Sequence, residues 1–209
     1  LLDSLRRTVE RLRWKPVGQW AGYATATSYS DAATASKGQI VRDMLAAVGG
    51  RSAWDLGANT GVYSAMAADA GYRVVAWDLD PAAVEAHWLR VRGDGGPPVL
   101  PLVGDLVNPS PALGWALAER ASFLEREHPD VLLALALVHH LAIGNNVPLP
   151  AIARLFARLS GHAIVEFVPK ADPMTRRLLA ARRDIFDDYS IDGFRAAFGS
   201  AFEIVREAP

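Results

Sequence analysis

The chain has 209 residues, 51% of them hydrophobic and 22% charged, with a formal net charge of −1. This is the length and composition of one globular domain with a full core, and it supplies no global basic field of the kind that draws nucleic acid. Cysteine is absent, which excludes disulfides and thiolate-bound metals and makes a cytoplasmic location the simplest expectation.

The first segment, "LLDSLRRTVERLR", sets Leu1, Leu5, Val9 and Leu12 at helical spacing, with Arg6, Arg7, Arg11 and Arg13 making it basic. A solvated helix or a connection to a further domain is expected here. Residues 15–31 read as a loop rich in Trp, Tyr, Ser and Thr. A helix from Asp31 to Val48 follows, stopped by Gly49-Gly50. From there strands and helices alternate. "SAWDLG" is a strand, followed by a helix over 62–70. "YRVVAWD" is a second strand, and Asp80-Pro81 opens the next helix as N-cap and first helical residue. "PVLPLVG" is a third strand, placed at an edge by Pro101. A helix is expected from Ser110 to Glu127. "DVLLALALV" is a fourth strand, apolar throughout, as when both sheet faces are covered. Its apolar run is too short to span a bilayer, which needs roughly 20 residues. A helix through Leu159, a fifth strand "HAIVEFV", a helix from Asp172-Pro173, a helix "SIDGFRAAFG" and a last strand "AFEIV" complete the pattern. The alternation implies a mostly parallel sheet with helices on both faces.

"AWDLGANTGVYS" brings Gly57 and Gly61 to the carboxyl end of the first strand, where open parallel sheets bind their ligands. The Gly-Lys-Ser/Thr of a phosphate loop is missing. Gly57-Ala58-Asn59-Thr60-Gly61 also departs from the dinucleotide spacing, which argues against a nicotinamide oxidoreductase. S-adenosylmethionine has no phosphate to cradle. It carries an ammonium and a carboxylate at one end, a ribose, and an adenine. Asp55 suits the ammonium. Asp78, 21 residues after Gly57, can accept from both ribose hydroxyls, and Asp105 from the adenine amino group. Three acids at three successive strand ends match three parts of one ligand. Asp55 alone also reads as an acid favoured by a helix N-terminus, and Asp80 reads as a cap.

"WDLGANTG", "VVAWDLDPAAVE", "VGDL" and "LALALVHHLAI" resemble the successive motifs of the class I S-adenosylmethionine-dependent methyltransferases over about residues 50–206. "NPSPALGW", "LALALVHHLAIGNNVPLP" and "EFVPKADP" are similar to a bacterial, nodulation-related subgroup of them, in which this domain lies in longer chains. The resemblance implies a Rossmann-like fold, S-adenosyl-L-methionine as cofactor and S-adenosyl-L-homocysteine as product. It implies a cofactor site of Asp55, Gly57, Asn59, Gly61, Asp78, Leu79, Asp105 and Leu106. It further implies an N-terminal helical segment and covering loop at 1–49, with Tyr29 and Lys37 at the methionine end, ahead of a cofactor-binding domain at 50–209. The start without Met and the end at "AFEIVREAP" suggest a piece of a longer protein, its last antiparallel strand missing.

Methyl transfer needs the acceptor aligned in line and water excluded. The end of the fourth strand is the expected acceptor side: His139 and His140 as candidate bases, Asn145 and Asn146 lining the mouth, and Glu166 with Lys170 on the fifth strand. Alternation along a strand would send the two histidines to opposite faces. His140, further along, would then face the methyl group, and the pair would not hold a metal. The histidines and asparagines also fit plain packing and turn roles. "RRLLAARRDIFDDY" reads as a solvated helix with its own salt links. A methyltransferase for a small-molecule acceptor, with no nucleic-acid or membrane partner, is the expectation. A cofactor-binding module without acceptor chemistry is its alternative.

Overall fold

The computed structural model describes residues 2–12, 31–93, 96–180 and 182–209. Tyr29 and the proposed covering loop lie outside the described residues. The elements run α1 (Leu2–Arg11), α2 (Asp31–Val48), β1 (Ser52–Leu56), α3 (Val62–Asp69), β2 (Arg73–Asp78), α4 (Pro81–Val91), β3 (Val99–Val103), β4 (Val131–Ala134), α5 (Leu149–Leu159), β5 (Ala163–Val165), α6 (Pro173–Ala180) and α7 (Ile191–Gly199).

The five strands form one parallel sheet in the order β3-β2-β1-β4-β5. The chain leaves β1 toward β2 and β3 on one side, then crosses to β4 and β5 on the other. A crevice therefore opens at the carboxyl ends of β1 and β4. Pro101 sits in edge strand β3, as its missing donor requires. Alternation along the strands divides the core. Ala53, Val74, Val131, Leu133 and Ile164 pack with Val41 and Leu45 of α2 and Ala67 of α3. Trp54, Leu56, Trp77, Leu132 and Ala134 face Ile152 and Phe156 of α5 and Phe198 of α7. Among the described residues, no helix is long and apolar enough to cross a membrane.

Two expected elements are absent. Residues 110–127 form two short 3-10 turns, Trp115–Leu117 and Phe123–Glu125, in place of a helix. Pro109 and Pro111 precede them, Gly114 takes φ 86°, and Ala116 and Leu117 also have positive φ, so continuous α geometry is broken. The second turn is held by a capping box between Ser122 and Glu125. Its Phe123 packs on Trp54 and Trp77, with ring centroids 5.3 Å from each. "AFEIV" is not a strand either. Residues 203–209 carry no regular structure, and the sheet stops at β5. Phe202 instead packs beside the cluster around Phe198.

Candidate functional site

The first half of the turn after β1 is held by β2. The amides of Gly57 and Ala58 both donate to the Trp77 carbonyl, at 2.8 and 2.9 Å. Asn59 N–H donates to Asp78 Oδ2 at 2.7 Å, and Asp80 N–H donates to Asp78 Oδ1 at 2.8 Å. Each oxygen of Asp78 thus accepts one backbone bond and keeps a lone pair. The side chain remains partly exposed. Burial nevertheless raises its pKa, against the pull of the Asp80, Asn59 and Leu79 amides. Gly57, Asn59 and Gly61 take φ 73°, 50° and 80°. Asn is among the residues that tolerate this region best, and its Oδ1 accepts from Thr60 N–H at 2.7 Å. The Asn in the motif is therefore a working turn residue.

Asp55 lies beneath this loop, only 2% exposed, and accepts from Ser64 Oγ at 2.6 Å. Burial pushes its pKa up to about 6 against the pull of that hydroxyl. Leu79, at the end of β2, is 61% exposed. Asp105 follows β3, partly exposed, with Oδ1 taking Val107 N–H at 2.8 Å, and Leu106 packs against the core beside it. The residues fit a nucleoside with an amino-acid tail. Asp78 is partly exposed, an exposed apolar side chain stands next to it, and a second carboxylate follows at the next strand end.

Lys37 of α2 reaches over the sheet to Glu166, with Nζ and Oε2 2.6 Å apart, and stands 4.8 Å above the ring of Tyr63. A predicted cofactor residue and a predicted substrate residue are thus one ion pair. Lys170 does not join them; it bonds Asp184. Tyr63 and Ser64, in the first turn of α3, were not singled out in the sequence, where an isolated Tyr-Ser carries no distinguishing spacing.

The two histidines depart from expectation. β4 ends at Ala134, Ala136 turns with φ 52°, and His139 and His140 stand on a helical turn that runs as a π-helix over His140–Gly144. Their rings lie against each other, centroids 4.1 Å apart, and do not diverge across a sheet. His139 is 1% exposed, with neither ring nitrogen paired among the described residues. Burial, helped by His140, pushes its pKa down to about 3; burial also lowers that of the partly exposed His140. Asn145 donates to the His140 carbonyl at 2.9 Å, and Asn146 has φ 57°. Both asparagines therefore build the turn. Arg182, expected on a solvated helix, lies beyond the end of α6 and donates to the Ile143 and Gly144 carbonyls of that turn. Among the described residues no cluster of three His, Asp or Glu is placed to hold a metal ion.

A further contact escaped the sequence entirely. His87 of α4, 1% exposed, lies directly under Gly61, where a Cβ would come within 2.0 Å of its ring. One turn on, Arg90 donates to the Thr60 carbonyl.

No family model matches the chain. Over 189 residues it is 39% identical to nodulation protein NoeA of Rhizobium meliloti (strain 1021), which takes in 90% of this chain and 40% of that protein. The chain thus spans about two fifths of the length of that curated relative. Magnesium protoporphyrin IX methyltransferase (ChlM) from Synechocystis PCC 6803, solved with bound SAH, superposes with a TM-score of 0.53 at 17% identity, covering 84% of this chain and 78% of that one. The bifunctional kinase-methyltransferase WbdD superposes with a TM-score of 0.52 at 16% identity, covering 81% of this chain and 36% of that one.

Proposed function

From a chain that carries the class I S-adenosylmethionine-dependent methyltransferase fold, we propose an S-adenosylmethionine-dependent methyltransferase acting on a small-molecule acceptor. The observation that carries this reading is Asp78. One carboxylate holds the glycine loop through Asn59 and the next helix through Asp80, yet stays partly open with acceptor capacity to spare. A ribose needs such a group between a glycine turn and an adenine site. The SAH bound in ChlM supports the same cofactor here.

When bound, the cofactor supplies an activated methyl group. The chain's own residues have separate tasks in this reading. Asp78 accepts from the ribose hydroxyls, Leu79 and Leu106 flank the adenine, and Asp105 accepts from its amino group. Gly57, Asn59 and Gly61 shape the loop over the amino-acid end. Lys37 meets the carboxylate there. Asp55, being buried, contributes negative charge toward the ammonium through the loop. Glu166 and the turn bearing His139 and His140 border the acceptor, with Asn145 and Asn146 holding that turn. Burial, which pushes the His139 pKa down to about 3, makes it a poor base, so a base for an acceptor that must lose a proton is assigned to the partly exposed His140.

Titration calorimetry with S-adenosylhomocysteine tests the reading. The wild type binds, and Asp78→Ala weakens binding by about 1.5–3 kcal/mol, the scale of a hydrogen bond to a charged group. Tight NADH binding with no response to S-adenosylhomocysteine would overturn it.

A further inference from the structure

The loop at residues 57–61 has two supports, and β2 is only one of them. β2 binds its first half through the Trp77 carbonyl and Asp78. The second half, Thr60 and Gly61, rests on α4. The His87 ring lies so close under Gly61 that an added Cβ would sit 2.0, 2.1 and 2.5 Å from three of its atoms. Arg90, at i+3 on the same helical face, reaches the Thr60 carbonyl. α4 can carry this load because its start is fixed to the same carboxylate that holds the loop. Asp78 accepts the Asp80 amide, and Asp80 caps the helix by accepting from Ala82 N–H at 2.9 Å. Loop and helix therefore move together with Asp78.

His87 is an odd choice for packing alone. Its Nε2 is buried and unpaired among the described residues, and leaving such an atom unsatisfied costs about 1–3 kcal/mol. A leucine would carry no such cost. What the imidazole offers is a flat, rigid body, held neutral by burial and the nearby Arg90, that fits beneath a residue with no side chain. Gly61 is doubly constrained: by φ 80° and by the ring below it.

We infer that His87 and Arg90 are positioning residues for the cofactor site, forming with Gly61 a clamp that fixes the second half of the glycine loop before any ligand arrives. The inference rests on the cofactor reading above only through its binding readout, so two measurements separate them. The first is amide hydrogen exchange of Asn59–Gly61 without ligand; the second is S-adenosylhomocysteine affinity by calorimetry. His87→Ala is expected to speed exchange of the loop amides and weaken binding about tenfold, within the range of coupling between contacting residues. Gly61→Ala alone loses more. The double variant His87→Ala with Gly61→Ala binds about tenfold better than Gly61→Ala, because the space vacated by the ring takes the new methyl group and only the backbone strain remains. A double variant no better than Gly61→Ala, or a His87→Ala protein that melts earlier with exchange and affinity unchanged, would overturn the clamp. Should His87→Ala fail to fold, Arg90→Ala decides instead, since its side chain is exposed: faster loop exchange supports the clamp and unchanged exchange removes it. A wild type that ignores S-adenosylhomocysteine would overturn the cofactor reading and leave exchange to judge the clamp.

Discussion

Asp55 is the acid at which sequence position and physical state diverge. Its place in the motif suggests a ligand contact, but the side chain is 2% exposed and bonded to Ser64. Its pKa, pushed up to about 6 by burial, makes it a stability element with an unusual sign. Between about pH 4 and 6 the folded chain holds a proton there that the unfolded chain, with an ordinary Asp, has released. Stability from this group is therefore fullest below pH 4 and is lost as the pH rises through 6. Asp55→Asn keeps an oxygen for the Ser64 hydroxyl and removes the titration. Urea unfolding is expected to show the variant more stable at pH 7, by on the order of 2 kcal/mol, with the gap closing toward pH 4. A gap independent of pH would contradict the assignment. The places of Asp55, Asp78 and Asp105 near the carboxyl ends of the first three strands were legible because the motif spacing marks where each strand ends. Ser64, Tyr63 and His87 were not, because each matters only through a partner brought near by the fold.

At the scale of elements, short apolar segments bounded by turn residues located β1 to β5, and Asp80-Pro81 located α4, since these signals are local. Two readings failed where the deciding term is not local. Residues 110–127 have helical composition, but Pro109, Pro111 and the positive φ at Gly114, Ala116 and Leu117 break them into turns. "AFEIV" has apolar strand-forming residues but joins no strand among the described residues, and Phe202 packs by the Phe198 cluster instead. The histidines were misplaced because β4 ends sooner than its apolar run, and periodicity cannot separate a buried strand from the buried turn after it. The broken segment still covers the sheet, chiefly through Phe123 with Leu124 packed beside it. Phe123 is 4% exposed against Trp54 and Trp77, whereas Leu117 is 66% exposed. Phe123→Ala is expected to cost about 3 kcal/mol and Leu117→Ala less than about 0.5 kcal/mol, both read by urea unfolding. Equal losses would mean that the segment packs along its whole length.

At the scale of the whole molecule, an ion pair ties α2 to the far side of the sheet. Lys37 belongs to α2, which packs on one face, and Glu166 follows β5 at the far end of the strand order. The two residues are 129 positions apart, and their bond joins α2 to the carboxyl end of β5. The side chains are 18% and 21% exposed, intermediate between a surface pair of little worth and a fully desolvated one. Removing one partner takes its opposite charge away from a largely buried group. Lys37→Met is therefore expected to lower stability by about 2 kcal/mol, below the roughly 3–5 kcal/mol found for fully buried pairs. Removing both, in Lys37→Met with Glu166→Leu, restores most of that loss, since two apolar side chains of similar volume replace the pair without a stranded charge. A double-mutant cycle in urea reads the coupling directly. Losses that simply add would show that the ion pair contributes no coupling and that α2 is held by its other contacts, Val41 and Leu45 among them. A double variant as stable as the wild type that binds S-adenosylhomocysteine more weakly would place the pair's value in ligand binding and not in the fold.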